Sequence, residues 1–154
     1  MQISSFVKPV LLALSLLLSA HAFAIEPIFS TKDGAIRGYD AVAYFTKHKA
    51  VKGAKQFSTN WQGARWHFSS QTNLDAFIAD PEKYAPQYGG YCAYGVAQGY
   101  TPEIDPQAFA VRDGKLYLNL SKTVLKRWKE NIPGYIADAD QNWPALKAGT
   151  YVEK

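Results

Sequence analysis

Sulfur is scarce in this chain. Its 154 residues hold one cysteine, Cys92, and one methionine, Met1. A single thiol cannot close an internal disulfide, so the fold must hold by packing. The lack of methionine after Met1 excludes a methionine-rich copper site. Histidine is limited to His21, His48 and His67, and no CxxC, HxxH or HExxH spacing occurs. There is no glycine-rich phosphate loop and no G-x-S-x-G elbow. Acidic residues form no catalytic pair: Asp75, Asp80 and Glu82 fall beside one helical region, and Asp138 and Asp140 lie near the end, where solvated surface explains them. After residue 24 no apolar run is long enough to cross the roughly 30 Å hydrocarbon core of a bilayer.

The one sustained apolar run stands at the start. Met1 to Lys8 carries a single positive charge, and Pro9 to Ala20 reads PVLLALSLLLSA. Ala20-His21-Ala22 and Ala22-Phe23-Ala24 both offer a small-x-small exit. This order predicts a signal peptide over 1–24, cleaved after Ala24 or, second, after Ala22. The alternative is a membrane anchor, for which the run is too short. No cysteine lies near the cleavage site, so no lipid anchor is expected. The product is expected in the periplasm or outside the cell, with no transmembrane anchor in the mature form.

Residues 25–154 amount to one domain of chain. Their abundance of Trp, Tyr and Phe supplies a core and excludes disorder. Removing residues 1–24 takes one Lys and no acid, leaving 16 basic and 13 acidic residues. Lys122, Lys126, Arg127 and Lys129 read as a solvated helix face, so no nucleic-acid partner is expected.

Local patterns predict the elements. Ile25 to Lys32 reads as an extended lead-in, and Asp40 as the cap of a short helix over Ala41 to Phe45. Phe57–Trp61 and Ala64–Phe68 alternate around Gln62-Gly63 and predict a hairpin, with Trp66 and Phe68 on one face and Arg65, His67 and Ser69 on the other. Ser70 caps a helix whose Leu74, Phe77 and Ile78 make one buried stripe. Asp80-Pro81 opens a turn leading to Tyr84. Gly89 to Val96 reads as a buried short helix, its small residues permitting close backbone approach. Phe109–Arg112 and Lys115–Leu120 form a second hairpin around Asp113-Gly114. Ser121 caps a helix bearing Val124, Leu125 and Trp128. Pro133 opens a last helix, which Pro144 interrupts. The fold class is α+β: two β-hairpins packed with several short helices in a single compact domain. Trp66, Phe68, Phe77, Tyr84 and Cys92 are expected to be buried together.

Cys92 is the first candidate for chemistry. Its plain role is that of a small core hydrophobe. Its functional role would need a lowered pKa, which a helix N-terminus after Gly89-Gly90 could provide. His67 reads as a surface imidazole on the polar face of its strand. His48 lies among lysines, which disfavours a cation site.

Gly38-Tyr39-Asp40-Ala41-Val42-Ala43-Tyr44-Phe45, then Gly63, Trp66-His67-Phe68-Ser69, Asn73, Phe77, Pro81 and Tyr84 resemble a YHS domain. Gly89-Gly90-Tyr91-Cys92-Ala93-Tyr94 resembles the extension found in small exported proteins of that type. The resemblance makes residues 25–154 a YHS-like domain with a C-terminal helical extension, and it implies metal binding, with copper as the candidate ion. Two departures stand out. Ala43 and Ser69 occupy positions where such domains often carry cysteine, and soft metals bind through thiolate and imidazole.

Three functional readings follow. The first is an exported, non-enzymatic binding protein that holds a transition metal such as copper through Cys92, with His67 as partner. The second is an aromatic-lined module for a small molecule or protein partner, with Tyr39, Tyr44 and Tyr91 at the pocket. The third is a thiol-dependent redox enzyme using Cys92.

Overall fold

The structure is a computed structural model that describes residues 24–153. The expected signal peptide, Ala24 apart, lies outside the described residues. Three antiparallel two-stranded hairpins and six α-helices make a compact α+β arrangement. In chain order these are β1 (Ser30–Thr31), β2 (Gly34–Ala35), α1 (Ala43–Thr46), β3 (Ala54–Trp61), β4 (Ala64–Phe68), α2 (Gln71–Ala79), α3 (Pro81–Tyr84), α4 (Ala93–Ala97), β5 (Asp105–Arg112), β6 (Lys115–Asn119), α5 (Lys122–Trp128) and α6 (Ile132–Ala148).

Turn chemistry sets the two large hairpins. Gln62 and Gly63 have φ of 47° and 75°, and Asp113 and Gly114 have 52° and 72°. Two consecutive left-handed residues give the turn whose twist matches its strands. The pairs Trp61–Ala64 and Arg112–Lys115 close those turns. Both hairpins start earlier than the alternation suggests, because each carries an irregularity on its first strand, between Ala54 and Ser58 and between Asp105 and Phe109. A bulge breaks period two, so the strand beyond it is hidden from an alternation argument. Ser70 and Ser121 cap as expected, accepting the backbone N–H groups of Asn73 and Val124 at 3.1 and 3.2 Å, and Asp80 likewise accepts that of Lys83 at 3.3 Å.

Four expectations need correction. The lead-in is not wholly extended, since Ser30–Thr31 and Gly34–Ala35 fold into a third, miniature hairpin. The segment from Gly89 to Val96 is not one helix. Residues Gln87–Gly90 form a 3-10 turn, Cys92 is extended, and α4 follows. Ile78 is exposed, because α2 turns only Asn73, Leu74 and Phe77 inward. Pro144 does not interrupt α6, which runs continuously through it. Pro144 and Asp140, one turn earlier, are both exposed, so water can serve the carbonyl that loses its helical donor.

The core has two parts. The first gathers Tyr44, Trp66, Phe68, Phe77 and Cys92 with Ile36, Ile104, Leu116 and Leu118. The ring of Phe77 lies 5.0 Å from Trp66 and 4.9 Å from Phe68 between centroids. Tyr84, expected inside with them, is half-buried against this cluster. The second part gathers Tyr88, Tyr117, Leu125, Trp128 and Leu146. Strand β6 separates them. Leu116 and Leu118 face the first cluster and Tyr117 the second, so the strand is buried on both faces and shows no polar alternation.

Candidate functional site

One buried carboxylate organises the N-terminal half. Asp40 is fully buried. Its Oδ1 accepts the N–H groups of Val42 and Ala43 at 2.9 and 3.1 Å. Its Oδ2 accepts the Ser69 N–H at 2.8 Å, the Ser69 hydroxyl at 2.6 Å and the Asn73 amide at 2.7 Å. Five donors thus answer one buried acidic side chain, which is the condition for keeping such a group out of water. The sequence suggested only a cap on a helix from Ala41; α1 instead begins at Ala43, and Asp40 holds the turn that leads into it. It gave no sign that the end of β4 and the first turn of α2 share the same carboxylate.

Residues 42–88 match the YHS domain. The chain carries a YHS domain. No curated protein matches the chain, and no solved structure does. Asp40 lies two residues ahead of the matched segment and ties its parts together. Ala43 and Ser69, where the resemblance places cysteines, meet at this carboxylate. Neither offers a soft donor.

Cys92 sits just ahead of α4 and is buried. Its thiol donates to Asn119 Oδ1 at 3.7 Å, and its sulfur accepts the Leu120 N–H at 3.3 Å. Asn119 Oδ1 also accepts the Tyr94 N–H at 3.2 Å. Burial pushes the Cys92 thiol up, and nearby N–H groups of Gly95, Leu120 and Tyr94 only partly oppose that. The thiol is therefore a polar pin between α4 and the end of β6.

His67 is elsewhere. It is half-buried rather than a free surface imidazole, because the β1–β2 hairpin covers its face of β4. A Cβ on Gly34 would lie 2.8 Å from the imidazole Cδ2, and one on Gly53 would lie 2.7 Å from the His67 Cβ. Gly34 leaves room for the ring and for the Arg65 carbonyl, and Gly53 leaves room for the His67 backbone. Nδ1 is buried without a hydrogen-bond partner. Desolvation lowers the His67 pKa, and Arg65, Lys55 and Lys52 lower it further while Asp33 opposes them.

Cys92 and His67 share no partner. No group of three or more His, Cys, Asp or Glu side chains suited to a metal occurs among the described residues. This donor set does not fit a copper centre: the thiol is hydrogen-bonded and enclosed, with its pKa pushed up by burial, and Arg65, Lys55 and Lys52 lie on the imidazole's side.

Each of the three tyrosines has its own partner. Tyr44 is wholly buried and donates to the Pro106 carbonyl at 2.9 Å. Tyr39 lies under the Lys52 ammonium, 5.0 Å from the ring centroid. Tyr91 donates to the Glu26 carbonyl at 3.0 Å and packs on Phe29 and Trp143.

An open groove of about 340 Å³ lies at another place. Trp61, at the end of β3, and Trp143, on α6, both line it. Pro27, Tyr88 and Gly89 contribute backbone and ring surface. Tyr88 is held at φ 57° and ψ 36°, a left-handed conformation rare for an aromatic residue. Its hydroxyl donates to Asp140 at 2.8 Å, and Gly89 C=O accepts the Phe29 N–H at 2.8 Å. A Cβ on Gly89 would fall 2.0 Å from the Pro27 carbonyl oxygen. Sequence reasoning missed this groove. Its one available sign was a tryptophan beside the exposed Gln62-Gly63 turn, where a buried strand has no need of so large a ring.

Proposed function

We propose that the chain is an exported, non-enzymatic binding protein, periplasmic or secreted, whose YHS domain supplies one wall of a small-molecule groove. The observation that carries this reading is the groove between Trp61 and Trp143. Its volume falls at the lower end of the roughly 300–1,000 Å³ typical of ligand pockets. Two tryptophans among polar side chains supply both ring surface and hydrogen-bonding groups to a ligand. The enclosed, hydrogen-bonded Cys92 thiol favours binding over thiol chemistry. The leader over residues 1–24 supports export.

A melting screen against a broad set of small molecules tests the groove. A ligand that binds only the native state raises the melting temperature. At least one compound should stabilise the wild type and fail to stabilise Trp143→Ala. Equal shifts in both proteins, or no shift at all, would end the reading. For export, N-terminal sequencing of the purified protein should begin at Ile25, or at Phe23 if cleavage follows Ala22. A chain that retains Met1 and stays in the cytoplasm would overturn it.

A further inference from the structure

We infer that the groove between Trp61 and Trp143 binds a neutral sugar ring; this rests on the groove being the ligand site. Four further side chains line it: Gln62, Gln87, Glu82 and Lys147. The ion pairs among the described residues are Arg37–Glu103 and Arg112–Asp113, so Glu82 and Lys147 are both unpaired there. The two carboxamides and the two indole N–H groups likewise make no side-chain hydrogen bond to any described residue. The groove therefore combines two apolar ring surfaces with six polar groups that have no partner within the described chain.

The chemistry of the occupant follows from that combination. A wholly apolar ligand would leave without a partner whichever of those polar groups it covered. An anion would meet Glu82, and a cation would meet Lys147. One charge of each sign leaves the lining with no net charge from these two groups to select a ligand of either sign. Carboxamides both donate and accept, indole N–H donates, carboxylate accepts and ammonium donates. A ligand that answers all of them carries hydroxyl groups around its rim, since each hydroxyl donates and accepts. The indole surfaces require C–H faces on the same molecule. A pyranose or furanose ring has both.

The surroundings favour a defined pose. Trp61 is fixed edge-on to Trp66 and Phe77 at 5.9 and 5.8 Å between centroids. Trp143 leans on Tyr88 and Tyr91, each 6.1 Å away. The left-handed Tyr88, beside Trp143, is tied by its hydroxyl to Asp140. Walls already ordered before binding lose little freedom when a ligand arrives.

The test is calorimetric titration of the purified protein with glucose, N-acetylglucosamine and maltose, beside benzoate, benzylamine and phenylalanine as charged or zwitterionic aromatic probes. At least one sugar should bind saturably. Trp143→Ala should weaken it by roughly tenfold or more. Because Trp143 also packs on tyrosines, Gln87→Ala, at a half-exposed polar tip, serves as the second variant and should weaken binding without changing the melting temperature. If the sugars fail and an aromatic probe binds with the same dependence on Trp143 and Gln87, the sugar inference falls and the groove reading stands. If nothing binds, or if neither substitution matters, both fall.

Discussion

Asp40 bears more hydrogen bonds than any other side chain described above, and its removal is the sharpest test of the fold at the scale of one residue. Asp40→Ala deprives three backbone N–H groups, a hydroxyl and an amide of their acceptor. Each buried donor left alone costs about 1–3 kcal/mol, and some will find water. A loss of at least about 3 kcal/mol is expected in denaturant melts; a loss below about 1 kcal/mol would mean that the network contributes little. His67 makes a pH prediction. Its folded pKa is depressed, chiefly by desolvation. The unfolded chain therefore takes up a proton before the folded one as pH falls below about 6.5. Stability should be flat above that pH, decline below it, and stop declining on this account once the folded imidazole has also charged. His67→Gln should remove that part of the decline, and an unchanged profile would refute the assignment. The face of His67 was legible from strand alternation. Its burial was not, because the covering hairpin lies some thirty residues earlier in the chain.

At the scale of elements, legibility followed locality. The turn pairs Gln62-Gly63 and Asp113-Gly114 and the caps Ser70 and Ser121 act within four residues, and all were readable. Ile78 was misplaced because helical spacing limits a stripe without saying where the neighbouring element ends. The stretch from Gly89 to Val96 was misread as one helix because Tyr88, Gly89 and Gly90 carry three successive positive φ angles where they meet the lead-in. That contact yields a prediction. Gly89→Ala puts a methyl group where the Pro27 carbonyl oxygen sits, at φ +62°. It should destabilise the protein by roughly 2–4 kcal/mol and free the lead-in for proteolysis near Pro27. Wild-type resistance at that site would show that the backbone has another way to relax.

For the whole molecule, the matched segment is smaller than the folding unit. Residues 42–88 contribute Tyr44, Trp66, Phe68 and Phe77 to the first core cluster. Ile28, Ile36, Cys92, Ile104, Leu116 and Leu118 come from outside them, as does Asp40. Strand β6, buried on both faces, joins that cluster to the second. A fragment of residues 42–88 should show no cooperative melt by circular dichroism, whereas residues 24–153 should unfold in one transition. A cooperative melt of the fragment would make the rest an appendage. Class and hairpins were readable from pattern, but this sharing of a core was not, because β6 has no alternation to show which residue faces which cluster. The groove went unread for a related reason: its lining is drawn from distant parts of the chain, including the lead-in, the β3–β4 turn and α6.

The lone enclosed thiol has a consequence for how the protein is made. With no second cysteine there is no internal disulfide to form or to shuffle, so native folding needs no oxidant from its compartment. The sulfur meets the outside only when α4 and the end of β6 part. In air, with dioxygen as the oxidant, two exposed thiols can then lose two protons and two electrons to form a disulfide only between molecules that have opened, so the covalent dimer on a non-reducing gel records past unfolding.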